Sequence, residues 1–202
     1  MHPAAGRRRS SPVAPIDLHF VAPDLAVGSA FTRDAVPRLA AEHGIARVVD
    51  VRCEERDDEE VLRRSGILLL HLPTEDRCAV SQEMLRSGVA FVEEGRAAGE
   101  RTLVHCQYGV GRSALVALCA LVARGEDPLA ALGRAKRARA AISPAPEQLE
   151  AFAAFADGWK AEHGAAWSVP TFEGMADIAY RHLRPWRALS RAAVRSASSR
   201  RR

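Results

Sequence analysis

Residues 105 to 113 read His-Cys-Gln-Tyr-Gly-Val-Gly-Arg-Ser, and their types and spacing describe an anion trap with a nucleophile at its floor. Cys106 and Arg112 stand six positions apart, and Gly109 and Gly111 lie between them. Glycines let the backbone curl so that successive N–H groups point inward. The apolar run at 102–104 reads as a strand and the run from Ser113 onward as a helix, whose N-terminal end adds positive potential at the same spot. N–H dipoles, a helix end and a guanidinium all favour thiolate over thiol. A phosphate suits such a loop, held bidentately by Arg112 and attacked by the sulfur. A single cysteine after a strand is ordinarily a small buried apolar residue, and Gly-x-Gly ordinarily just a turn. The combination is what carries the signal.

That combination resembles the His-Cys-x5-Arg-Ser/Thr signature loop of the cysteine-dependent protein tyrosine phosphatases. Its brevity is similar to the dual-specificity branch, especially the small atypical and prokaryotic members. The likeness covers about residues 16–157. It implies hydrolysis of a phosphomonoester through a phosphocysteine intermediate, with Cys106 as nucleophile and Arg112 and the loop residues Gln107, Tyr108, Gly109, Val110 and Gly111 around the phosphate. Ser113 matches the family hydroxyl that hydrogen-bonds the sulfur and helps the intermediate break down; it also suits a helix N-cap. His105 is expected behind the loop, bonded to backbone carbonyls and fixing the cysteine. Neither metal nor cofactor is expected, because Arg112 and the backbone neutralise the phosphate.

The chemistry also needs a carboxylic acid on a separate, mobile loop to protonate the departing oxygen. The segment 71–77, His-Leu-Pro-Thr-Glu-Asp-Arg, follows a strand and suits that role. Asp76 lies 30 residues before Cys106, a separation that resembles the family's general acid, and Glu75 is its adjacent rival. Some related phosphatases place a redox cysteine in a context similar to that of Cys53, with Cys78 as an alternative partner for Cys106. Cys119 falls on the apolar face of the helix after the loop and reads as core.

Two other classes compete. One is a pseudophosphatase that only binds phosphorylated partners, and the other a rhodanese-like sulfur transferase, whose loop is usually one residue shorter. The uncharged lining Gln107, Tyr108 and Val110 weighs against highly phosphorylated inositol lipids, for which family members often carry lysines in this loop. Phosphotyrosine in a protein is therefore the expected substrate, with phosphoserine and phosphothreonine as further candidates. A phosphoinositide or other non-protein phosphomonoester is the alternative.

The elements that must position these groups alternate along the chain. Strands are expected at 16–20, 25–27, 46–51, 67–72 and 101–105. Helices are expected at 34–42 with Thr32 as N-cap, before Gly66, from Ser81 to 98, at 113–124, from Asp127 to 140 and from Pro146 to 157. This order predicts an α/β domain with a mostly parallel central sheet flanked by helices, and it puts Cys106 at the carboxyl end of a strand, where such sheets bind ligands.

A chain of 202 residues with 48% apolar content can bury one full core. The expected divisions are a disordered arm at 1–15, a catalytic domain at 16–157 and a basic C-terminal extension at 158–202. Net charge follows them: +3 over 1–9, −5 over 10–157 and +6 over 158–202. No apolar run approaches the roughly 20 residues that span a bilayer, and Arg7, Arg8 and Arg9 are not followed by a signal-type apolar segment. The four cysteines show no Cys-x-x-Cys spacing, so a zinc site is not expected and a reducing cytoplasm is. In the extension, Arg181, Arg184, Arg187, Arg191 and Arg195 share an arc if helical, opposite Ile178, Leu183, Trp186, Leu189 and Val194. Such a stretch can pack on the domain or meet an acidic partner or an anionic membrane. Nucleic acid is not expected, since these aromatics form no stacking module.

Overall fold

The computed structural model describes residues 15–183. The arm at 1–14 and the stretch from Arg184 onward, with Arg187, Arg191 and Arg195, lie outside the described residues.

Five strands form one sheet in the order β1 (Leu18–Ala22), β2 (Leu25–Gly28), β5 (Arg101–His105), β3 (Ile45–Arg52), β4 (Leu68–Thr74). β1 and β2 are an antiparallel hairpin turning at Pro23-Asp24, and the other pairings are parallel. The central strands read as continuous apolar runs because helices cover both faces. On one face α1 (Val36–His43) and α2 (Glu59–Arg64) bury Val36, Leu39 and Leu62 against Ala26, Ile45, Val48 and Leu103. On the other lie α3 (Gln82–Ala97), α4 (Arg112–Ala123), α5 (Pro128–Ala138), α6 (Pro146–His163) and α7 (Phe172–Ala179).

α4 is the hub of that larger layer. Every residue from Arg112 to Val122 is buried, so it carries no polar face of the usual surface-helix kind. Leu115, Leu118 and Leu121 each bury a side chain worth about 1.5–3 kcal/mol. This packing holds the N-terminus of α4, and so Arg112 and Ser113, rigidly under the sheet's carboxyl edge.

Caps set several helix starts. Ser81 Oγ accepts from Met84 N–H, Asp127 from Leu129 and Ala130 N–H, and Asp58 from Glu60 and Val61 N–H. Thr32 differs from expectation: it makes no capping bond, and a 3-10 turn at Arg33–Ala35 leads into α1. β1 lies two residues later than expected, because its partner register runs from Leu18 opposite Gly28. α6 continues past 157 to His163, and α7 sends Met175 and Ala179 into the main core, so part of the basic extension packs on the domain. After Tyr180 the chain leaves helical geometry for a 3-10 turn at Arg181–Leu183.

Candidate active site

β5 ends at His105 and α4 begins at Arg112, leaving residues 106 to 111 as the loop foreseen from their composition. Gly109 has φ +65°, and a Cβ there would lie 2.5 Å from the Gly28 carbonyl oxygen at the end of the neighbouring strand. Only glycine fits that approach.

The loop is braced from behind by Arg139, a buried residue that no local sequence pattern singles out. Its Nε donates to the Gly109 carbonyl at 2.8 Å and its Nη2 to the Tyr108 carbonyl at 2.9 Å, while both terminal nitrogens fork onto Asp17 at 2.6 and 2.7 Å. Val110 O accepts from Ser143 N–H at 2.9 Å. With these carbonyls tied backward, the N–H groups of Tyr108, Gly109 and Ser113 face the Cys106 sulfur.

Cys106 Sγ sits at the bottom, 3% exposed and 3.3 Å from Ser113 Oγ. Burial opposes ionisation and is the largest single influence on the thiol. The Ser113 hydroxyl and the N–H groups of Ser113, Tyr108 and Gly109 together outweigh it and hold its pKa below the usual thiol value. Cys119, buried in α4 with no such donors, shows the opposite: burial alone pushes its thiol well up.

Arg112 is 1% exposed and joins three segments. Nη1 and Nη2 each lie 2.8 Å from a separate oxygen of Glu54, in the loop after β3. Nη1 also donates to the Thr74 carbonyl at 2.8 Å, at the end of β4. Nη2 stands 3.2 Å from Asp76, on the next loop. Nε is buried without a partner among the described residues. A buried guanidinium N–H with no acceptor is costly unless an anion supplies one. The Arg112 guanidinium in turn lowers the Glu54 carboxyl to about 2.

Asp76 is largely exposed, and Arg77 after it adopts φ +66°, the left-handed geometry that turns the loop sharply. Glu54, Glu75, Asp76, Gln107, Tyr108 and Cys53 line one open hollow of about 560 Å³ at the mouth of the site. The structure thus brings Cys106, Arg112, Ser113 and Asp76 to one place. Gln107 and Tyr108 sit at its mouth, and Glu75 and Cys53 at the rim.

His105 differs from expectation. It bonds to no backbone carbonyl: Nε2 lies 2.7 Å from Asp57 Oδ2, and Nδ1 has no partner among the described residues. Asp57 belongs to the loop after β3, and Arg52 ties it at 2.7 Å to Asp50, which Arg52 also grips at 2.9 and 3.1 Å. Asp50, Asp57 and His105 could each offer a metal ligand atom within 4.8 Å, yet Arg52 already neutralises the two carboxylates. Glu54 and Asp57 fall in an acidic run that in sequence looks like a solvated loop. No spacing distinguishes them from Glu55 and Asp58; only the fold aims two of them at Arg112 and His105.

Comparisons with known proteins agree with this geometry. A family model described as PTP-SAK, the Swiss Army Knife protein DSP-PTPase phosphatase domain, matches residues 18–155. Comparison with curated proteins finds no significant match. Among solved structures, human DUSP28 is 28% identical, with a TM-score of 0.64 over 75% of this chain and 99% of that one. Tk-PTP in its active form is 25% identical, with a TM-score of 0.65 over 70% and 97%. PTPMT1 in complex with PI(5)P is 22% identical, with a TM-score of 0.68 over 72% and 97%, and shows the same fold. Among the described residues no helix is long and apolar enough to cross a membrane. The chain belongs to the PTP-SAK group of dual-specificity-type phosphatase domains and is a cysteine-dependent phosphatase.

Proposed function

We propose that this phosphatase hydrolyses phosphotyrosine in protein substrates through a phosphocysteine intermediate. The observation that carries this reading is the pairing of a Cys106 thiol with lowered pKa and a buried, unpartnered Arg112 Nε at one loop. The thiolate attacks phosphorus, while Arg112 and the loop N–H groups take the charge on the equatorial oxygens. Asp76, in its protonated form, gives its proton to the departing phenolate oxygen. Water then attacks the phosphocysteine with ionised Asp76 as base. Ser113 Oγ, 3.3 Å from the sulfur, stabilises the thiolate as it leaves. Arg112 supplies fixed positive charge throughout, so the residues need no further cofactor for these steps.

The loop lining offers no lysine, and Glu54, Glu75 and Asp76 surround the mouth, which favours a peptide over a polyanionic headgroup. The solved complex of PTPMT1 with PI(5)P keeps a phosphoinositide as the second reading. Cys53 is an exposed free thiol lining the same mouth, which supports a redox pairing. Peroxide would oxidise the Cys106 thiolate to sulfenic acid, and the Cys53 thiol would displace water to form the disulfide. The free cysteines suit a reducing, cytoplasmic setting.

The test is turnover of p-nitrophenyl phosphate by wild type and Cys106→Ser with and without vanadate, followed by phosphotyrosine, phosphoserine and phosphothreonine peptides beside PI(5)P. Cys106-dependent, vanadate-sensitive turnover fastest on phosphotyrosine is expected. Fastest turnover of PI(5)P selects the second reading, and equal turnover by Cys106→Ser removes the mechanism.

A further inference from the structure

Beside the mouth lies a second hollow of about 470 Å³, walled by Tyr108, Val110, Pro144, Pro146, Tyr180 and Leu183. It shares Asp76 and Tyr108 with the mouth, so the two form one continuous surface leading away from the loop. Its volume is within the range of organic ligand sites, and its walls are mostly apolar. The charged residues of its lining are Asp76, which lies 3.2 Å from Arg112, and Arg77.

Two of the walls lie beyond the stretch that matches the phosphatase family, which ends at residue 155. Tyr180 follows α7 and Leu183 ends the last turn. They are held in place by hydrogen bonds and by core packing. Tyr180 Oη donates to the Pro144 carbonyl at 2.7 Å, Lys136 Nζ reaches the Ile142 carbonyl at 2.6 Å and His182 Nδ1 at 3.0 Å, and α7 is anchored by buried Met175 and Ala179. Leu183 and Tyr108 are nonetheless 60% and 65% exposed, two large apolar side chains facing solvent across one trough. Apolar surface of this kind, concave and next to a reaction centre, is stabilised by an apolar partner.

We propose that the trough is a specificity subsite for an apolar side chain close in sequence to the phosphotyrosine of a peptide substrate, with Leu183 and Tyr180 as specificity-determining residues. This deepens the phosphotyrosine reading and rests on it. Charge selects the peptide as occupant: at the adjoining mouth Glu54, Glu75 and Asp76 outnumber Arg112, which Glu54 and Asp76 share. This excess of acids disfavours an anionic bilayer or a headgroup with additional phosphates over a neutral or basic peptide segment. The appended segment at 172–183 therefore reshapes a phosphate site of common architecture into one with a preference of its own.

The experiment measures kcat/KM of the full-length chain on matched phosphotyrosine peptides carrying Leu, Ser or Asp at the residues flanking the phosphotyrosine. p-Nitrophenyl phosphate and phosphoinositide vesicles are run alongside. Leucine peptides are expected to exceed serine peptides by about tenfold, the discrimination that one apolar pocket delivers, and aspartate peptides to be poorest. In Leu183→Ser the leucine-to-serine ratio falls toward one. Leu183 is exposed, so this substitution spares the core, and the wild-type ratio is a readout that needs no variant. Equal wild-type kcat/KM for leucine and serine peptides overturns the subsite, as does a leucine preference that survives Leu183→Ser. Vesicles turned over faster than the leucine peptide overturn the peptide as occupant. Turnover of p-nitrophenyl phosphate with none of any phosphotyrosine peptide defeats the underlying phosphotyrosine reading, whereas equal turnover of the leucine and serine peptides defeats the subsite alone.

Discussion

Arg112 and Glu54 meet fork to fork: two nitrogens of the guanidinium lie 2.8 Å from the two oxygens of one carboxylate, while Nε, equally buried, has no partner among the described residues. The arrangement divides the guanidinium into a side that is held and an edge that is offered. Held this way, Arg112 keeps its Nε donor preset, so that in the proposed reaction a phosphate meets it without the ordering of a flexible side chain.

Removing the holding side should therefore weaken binding more than chemistry. Glu54→Ala is expected to raise KM for p-nitrophenyl phosphate about tenfold, with a smaller change in kcat. Because the folded-state pKa of Glu54 is depressed from 4.5 to about 2, its stabilising contribution is complete above pH 4.5 and lost as pH falls through about 2. Melting curves of wild type and Glu54→Gln should thus differ at pH 6, with the variant less stable, and converge near pH 2. Parallel curves across that window would show that the pair does not order the site.

The lowered pKa of Cys106 rests on donors that can be removed one at a time. Ser113→Ala is expected to move the midpoint of Cys106 alkylation by iodoacetamide upward by about one pH unit, the effect of one lost hydrogen bond to a charged group. Peptide mapping separates Cys106 from the exposed Cys53 and Cys78. An unmoved midpoint would assign the lowered pKa to the loop N–H groups alone.

Asp76, exposed and 3.2 Å from Arg112, is the proposed proton donor. Asp76→Ala should lower kcat on a phosphotyrosine peptide by about a hundredfold or more, with KM changing little. The same loss from Glu75→Ala instead would transfer the role to Glu75.

The bond between His105 and Asp57 ties the start of the loop to the segment after β3. Asp57→Ala removes this hydrogen bond and the Arg52–Asp57 ion pair, leaving the fully buried imidazole with Asp50 at 3.8 Å. A loss of about 2 kcal/mol follows, seen as a Tm lower by roughly 4–8 °C. Asp57→Asn, which keeps a hydrogen-bonding oxygen, should recover part of it. A Tm unchanged in Asp57→Ala would show the contact to be incidental.

The candidate site is legible in the chain because it is local. Cys106, the two glycines, Arg112 and Ser113 are consecutive, and a strand before and a helix after dictate how a short loop must curl. The alternation of strands and helices likewise determined an α/β sheet with Cys106 at its carboxyl edge, since burial on both faces leaves an apolar run that periodicity exposes. What surrounds the centre is not local. Glu54 and Asp57 are indistinguishable in sequence from the acids beside them, and Arg139, just past the end of α5, looks like one more surface arginine. Their roles arise because β3 pairs with β5 so that Asp50 faces His105, which swings the loop after β3 under Arg112 and His105. Asp17 and the loop carbonyls likewise converge on Arg139 only once β1 is paired with β2. Tyr180 and Leu183, far from the loop along the chain, reach it only through the packing of α7 on the core. Chemistry carried by neighbours in sequence can be read from sequence; charge partners and pocket walls are chosen by the tertiary fold, because it alone decides which distant groups share a site.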